Sequence, residues 1–427
     1  MFMNVPYRKF ATGPECNARA NPVSQRSLPL SRCCNRIAMA GLKLLLVTGA
    51  AAGSACVAIA ESQFNVSSDA GNTLNVTALG EFQRPWAMTF LPTGELLVTE
   101  KDGQLWVVSA GGEGGNETFA TATDVSLQRA LVGNLPDVRA SGQGGLGDVI
   151  AHPDYLENGF IYVSYVEREG DLSGAAVLKA RLDIDASGTA QLEDPKVIWR
   201  QDPKVTGAGH YGHRMAFSAE GYLYVTSGER QKFDPAQDMQ MNLGKVVRLH
   251  DDGRVPEDNP WSDQGGIAAE FWSIGHRNPL GVAFADTGEL WVHEMGPRGG
   301  DELNRVQAGA NYGYPIVSDG RHYSGANIDD HDTRPDLQAP EITWTPVISP
   351  SSLVIYRGEQ YADWEGDALI GGLSSRSLVR VSLDGDVSEI ERYDMNQRIR
   401  EVEQDDAGMV YLLEDGPGGR LLRLAQP

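Results

Sequence analysis

Two histidines three residues apart, His210 and His213, stand in the run GAGHYGHRMAF at residues 207–217. An imidazole titrates near neutrality and can take a proton from a hydroxyl, provided that a carboxylate holds the ring in the right tautomer. Arg214, Ala216 and Ser218 alternate with Met215 and Phe217, so a strand is expected to have begun by Arg214. His210 then lies in the glycine-flanked loop ahead of it, and His213 at the strand's edge. The following SGER closes a hairpin and should return Glu229 to His210, giving a base and its orienting acid. The plainer reading, that each imidazole only bonds to nearby backbone, stays open for both histidines.

Four more segments load polar residues beside Gly or Pro: SGQGGLGD (residues 141–148), SIGHRNPLG (273–281), EMGPRGGDELN (294–304) and NQRIREV (396–402). Arg277 could stabilise an anionic group or be a surface ion-pair residue. Arg398 and Arg400, two apart, share a strand face and suggest a ligand with more than one carboxylate or phosphate. A solvated face paired with Glu391 or Glu401 explains them equally well. The Gly/Pro turn around residue 296 offers carbonyls, with Asp301 and Glu302 nearby, and such oxygen donors suit Ca²⁺. The alternative is a tight turn with solvated acids.

These segments are set in a recurring pattern: an apolar strand, a turn with Asp or Pro and Gly, then a strand rich in Leu, Val, Tyr or Trp. WAMTFLPTGELLVTEKDGQLWVV, HRMAFSAEGYLYVTSGE and LGVAFADTGELWVHEMG are examples. Hairpins that return along a chain without long amphipathic helices indicate an array closed on itself. Six such units predict an all-β fold, one six-bladed β-propeller over residues 61–427. A two-sheet sandwich accounts for the strands but not for the recurrence of the turn.

Residues 1–60 differ. They hold seven basic residues and one acid, followed by an apolar stretch and Ala58-Ile59-Ala60, the marks of a secretory signal cut before Glu61. All four cysteines, Cys16, Cys33, Cys34 and Cys56, precede that cut. The exported domain is therefore expected to lack disulfides and thiolate metals. The whole chain carries a net charge of −22; without its basic leader it is more acidic still. That argues against nucleic acid or an anionic membrane surface as partner, and no integral membrane segment is expected in the mature chain.

Taken in order, GQGGLGDVIAHPDY, LGKVVRLHDDGRVPEDNP, GHRNPLGVAF, GGDELN and GANYGYP make the chain resemble the soluble pyrroloquinoline quinone (PQQ)-dependent sugar dehydrogenases, the glucose/sorbosone group with its aldose sugar dehydrogenase branch. The resemblance implies a six-bladed propeller that holds PQQ over its channel. It further implies a periplasmic or secreted enzyme that oxidises the C1 hydroxyl of an aldose to a lactone and passes electrons to a separate acceptor, as a monomer or homodimer. By the same resemblance His210 is the general base, and Glu229 stands where the family can carry an Asp that orients it. Gln143, Arg277, Asn278 and Tyr323 touch the quinone, with Arg277 stabilising charge on its oxygens, and Arg398 and Arg400 hold its carboxylates. The carbonyls of Gly296 and Pro297 bind the catalytic Ca²⁺, while Glu302 and Tyr312 match a second, structural Ca²⁺. In the segment Gly372-Leu373-Ser374, Ser374 replaces a Lys that family members often place against a quinone carboxylate. That substitution motivates the alternative of a propeller that binds sugar but has lost its cofactor.

Overall fold

The computed structural model describes residues 63–111, 118–119 and 127–427; the expected leader and its cysteines lie outside them. The described chain is almost entirely β, with one short α-helix, Tyr155–Asn158, and scattered single turns of 3₁₀ helix. Among the described residues no helix is long and apolar enough to cross a membrane.

The repeat seen in the sequence becomes a four-stranded antiparallel meander. Three meanders stand alone as sheets, with inner strands Gly212–Phe217, Pro279–Phe284 and Pro350–Ile355. Two more, with inner strands Pro85–Phe90 and Leu146–Ala151, are joined through their outer strands into one eight-stranded sheet. The short parallel pairing of Ala190 and Gln191 with Val132 and Gly133 makes that join. The last sheet takes Ile399–Gln404, Val410–Glu414 and Pro417–Ala425 from the C-terminus. It is completed by Thr73–Gln83, paired from Asn75 with Ala425 to Gln83 with Pro417. Gln63–Ser67 adds a fifth strand outside it, so the start of the array is tied to its end.

The second strand of most repeats, such as Leu96–Glu100, Leu223–Ser227 and Leu290–Glu294, is buried along its whole length. A sheet stacked between two neighbours has no solvent face at that depth, so these strands open on apolar residues and bury even the polar ones at their ends, such as Thr99, Ser227 and Glu294. The core is accordingly divided: six apolar clusters each span two consecutive meanders. The arrangement is all-β and propeller-like.

The inner strands touch one another in cyclic order around a central channel, and Arg214 fills its middle. Its guanidinium donates to Asp148 Oδ1 at 3.1 Å, Leu280 O at 3.0 Å and Ser351 O at 2.6 Å. It also pairs with Glu401 at 2.6 Å and lies 4.2 Å from the Trp86 ring centroid. One side chain therefore meets all five other inner strands. Removing it while Asp148 and Glu401 stay buried should be costly. Arg214→Met is expected to lose about 3–5 kcal/mol of stability, measured as a shift of the urea unfolding midpoint.

Candidate active site

The loop before the Gly212–Phe217 strand and the end of its hairpin meet as expected. His210 Nδ1 lies 2.5 Å from Glu229 Oε1. A carboxylate only accepts, so the ring proton sits on Nδ1 and Nε2 keeps its lone pair. The second oxygen of Glu229 accepts the amides of Lys232 and, at 2.7 Å, Phe233. Burial alone would raise the Glu229 carboxyl, but the His210 bond and these amides outweigh it and hold it below its ordinary range. Burial pushes His210 down, opposed by the Glu229 bond and assisted by the charge of Arg277. At neutral pH the pair is thus an imidazole and a carboxylate, ready to accept one proton.

The backbone here is strained. His210 has φ +50°, and Arg230, Gln231 and Phe233 have φ +62°, +59° and +66°. Such conformations cost on the order of 1–3 kcal/mol each and persist only where the surroundings enforce them. Gln143 Oε1 accepts the His210 amide at 2.6 Å, and the Gln143 amide donates to Ala208 O at 2.7 Å. Arg230 is buried and bonds to the carbonyls of Ser173, Gly207 and Gly209. The expected quinone contact Gln143 is therefore also a buttress for His210.

The other candidate imidazoles are satisfied. His213 lies within the strand, not at its edge, because the strand already starts at Gly212. Its ring stacks on Trp86 at 5.0 Å, bonds to Ser164 Oγ at 2.7 Å and is pushed down to about 3 by burial. His276 is held by Ser273 at 2.8 Å and Glu294 at 2.9 Å.

Beside the pair, at the starts of the inner strands, opens a cavity of about 440 Å³ whose walls include Gln143, Asn278, Leu373, Arg398 and Arg400. His210 and Arg277 do not line it but directly adjoin Tyr211 and Asn278, which do. Asn278 is 1% exposed, and neither its amide oxygen nor its amide nitrogen has a partner among the described residues. Arg277 Nε is likewise unpartnered, while its Nη1 donates at 2.6 Å to the carbonyls of Met295 and Gly296. Buried polar atoms left open at a cavity wall are a ligand's hydrogen-bonding positions.

Arg398 and Arg400 do face one site, but their carboxylate is Asp415, at 2.7 and 2.8 Å, rather than Glu391 or Glu401. Glu401 points the other way, to Arg214, since successive residues of a strand face opposite sides. Four expected cofactor contacts, Arg277, Tyr323, Gly372 and Ser374, lie off the cavity wall. Tyr323 is 73% exposed, and its ring centroid is 5.9 Å from the Arg277 guanidinium carbon. Ser374 is exposed, with its hydroxyl bonded to Val347 O at 3.0 Å. Gly372 closes the ladder opposite Pro350. Lys101, Arg84 and Asp415, which no sequence motif marked, are on the wall.

The metal expectations fare differently. Among the described residues no three His, Cys, Asp or Glu side chains are grouped to hold a metal ion. Asp301 spends both oxygens closing its turn, on the amides of Gly296 at 2.9 Å and Ser349 at 2.7 Å, and burial raises it to about 6. Its acids are buried, not solvated. Glu302 faces Glu294 across the ladder; burial, then the charges of Glu294 and Asp319, hold its carboxyl well above its usual range. The Tyr312 hydroxyl is spent on Arg305 O at 2.7 Å and the Gln307 amide at 3.0 Å, and its carbonyl lies 3.3 Å from His331 Nε2.

A profile of the glucose/sorbosone dehydrogenase family matches residues 82–423. The chain belongs to that family. It is 36% identical to the aldose sugar dehydrogenase YliI of Escherichia coli over 83% of this chain and 93% of that one. With quinoprotein glucose dehydrogenase B of Acinetobacter calcoaceticus it shares 26% identity over 65% of this chain and 74% of that one. The crystal structure of the apo-form of soluble aldose sugar dehydrogenase from Escherichia coli matches with a TM-score of 0.75 and 35% identity, covering 83% of this chain and all of that one. The PQQ-bound form of an aldose sugar dehydrogenase from Streptomyces coelicolor matches with a TM-score of 0.64 and 25% identity, covering 82% and 97%. The family is one of sugar oxidoreductases, which agrees with the motifs.

Because Glu229 raises the His210 pKa against burial, its loss should lower that pKa further. Glu229→Gln is expected to shift the His210 imidazole titration to lower pH, read from its ring proton resonances. A shift to higher pH would contradict the proton placement.

Proposed function

We propose that the protein is an exported, six-bladed quinoprotein, cut after residue 60, that oxidises the C1 hydroxyl of an aldose to a lactone. The observation that carries this reading is the His210–Glu229 pair beside a cation-lined cavity with the open amide of Asn278 on its wall. The six-blade count is supported by the reach of Arg214 from its own inner strand to five others, and the cofactor by the relatives called PQQ-bound and quinoprotein.

When bound, PQQ would supply the hydride acceptor and Ca²⁺ a Lewis acid; the Pro297 carbonyl, and the Gly296 carbonyl in exchange for its Arg277 bond, would hold the ion. The protein does the rest. His210 Nε2 takes the hydroxyl proton, and Glu229, already bonded at Nδ1, stabilises the resulting imidazolium. Arg277 and Asn278 offer their open donors to the quinone's oxygens, where negative charge grows. Arg398 and Arg400 orient the quinone through its carboxylates, which compete with Asp415 for the two guanidinium groups. Glu302, with Tyr312, gives a second Ca²⁺ a buried carboxylate that lacks a countercharge.

The test is reconstitution of the purified protein with PQQ and Ca²⁺, followed by dye reduction with a panel of aldoses. Turnover is expected, and His210→Ala should lower it by about 10²–10⁴-fold while sparing quinone binding measured by absorbance. Absence of both binding and turnover overturns the reading.

Activity should fall as pH drops and His210 protonates. Since His210 is held below its ordinary value, the acid limb of kcat/KM should lie below the about 6.5 of a free imidazole.

Glu302 gives a separate readout. Its folded-state pKa is raised, so the folded protein binds that proton more tightly than the unfolded chain. The associated stability is full at low pH and lost as pH rises towards the folded value. Ca²⁺ should therefore raise the unfolding temperature more at pH 8 than at pH 5, and EDTA should reverse it.

A further inference from the structure

The cavity wall carries four cationic side chains, Arg84, Lys101, Arg398 and Arg400, against one carboxylate, Asp415. Asp415 is shared by Arg398 and Arg400, and Arg84 has a partner just outside the wall, Asp102, at 2.7 Å. Lys101 has no carboxylate within ion-pair distance among the described residues; its ammonium donates to the carbonyl of Gly142. On a chain with a net charge of −22, a wall with excess positive charge is a local inversion that needs an anion.

We propose that Lys101 is a carboxylate-binding residue of this cavity, which with the Arg398–Arg400 pair lets the wall hold a planar polycarboxylate. The inference rests on the quinone reading and deepens it: PQQ carries three carboxylates, and Ser374 can answer none of them with charge. Gln143, next to the Gly142 carbonyl that Lys101 holds, bonds the His210 amide, so the same lysine joins the anion site to the base.

The surroundings of Lys101 agree. Burial, then the charges of Arg84 and Arg400, push its ammonium below its ordinary range. An arriving carboxylate would relieve that repulsion.

The test titrates the full-length protein with PQQ, followed by absorbance, and with benzene-1,3,5-tricarboxylate, a redox-inert probe, followed by calorimetry. Lys101→Gln keeps a donor for the Gly142 carbonyl but drops the charge. It should weaken PQQ binding by about 10- to 100-fold, the worth of one charge-assisted hydrogen bond, and flatten the salt dependence of binding. Lys101→Arg should stay close to wild type. Unfolding midpoints of both variants confirm that the fold is intact. If PQQ binds wild type and Lys101→Gln equally well, the role of Lys101 is overturned while the quinone reading stands. If wild type binds the tricarboxylate probe but not PQQ, the quinone reading falls, and loss of probe binding in Lys101→Gln still supports the anion site. If wild type binds neither, both fall.

Discussion

A single buried guanidinium organises the molecule. Arg214 is 4% exposed, and a charge in that position is tolerable only because two carboxylates, two carbonyls and an aromatic face surround it. Those partners come from five different meanders. Their inner strands must converge at one height for the set to be complete, so satisfying Arg214 also sets the stagger of the strands. Burial drives the Glu401 carboxyl well above its usual range even with Arg214 beside it.

Everything that reads as chemistry hangs from the starts of those strands. The loop with His210 leads into the strand that supplies Arg214. Asn278 immediately precedes the strand from Pro279, and Arg398 precedes the one from Ile399. Residues remote in sequence thus reach one rim with little freedom, and Glu229 ties the rim together by serving His210 with one oxygen and the Lys232 and Phe233 amides with the other. Pre-set geometry of this kind spares the site reorganisation during reaction.

The hairpin alternation and the Gly turns were legible because both are local: the period of a strand and the backbone freedom of glycine do not depend on distant residues. His210 with Glu229 was legible for the same reason, since one hairpin brings them together. The inner strand phase was enough to group Arg398 with Arg400. Their counter-ion was not readable, because Asp415 arrives from the neighbouring strand end after a register shift. Arg214 looked like any polar residue in an alternating strand; its meaning exists only when the ring closes. Lys101 lies in an ordinary-looking turn, TEKDGQ, and becomes part of the cavity only through packing against the loop at Gly142. Ser374 and Tyr323 show the converse: a motif can be in its expected place along the chain while the side chain turns to a nearby carbonyl or to solvent. The acids after Gly300, which the sequence left open as Ca²⁺ donors or as solvated turn residues, are buried, since nothing local distinguishes a solvated turn from one covered by a neighbouring sheet.

The plug in the channel has a consequence for traffic. A larger cavity of about 930 Å³ opens at the opposite end, reaching Asp148, Arg214 and Glu401 from below, yet it shares no wall residue with the one beside His210. What resembles a tunnel is two cups set back to back. The side chain that gathers the inner strands thus also closes the upper end of the lower cup.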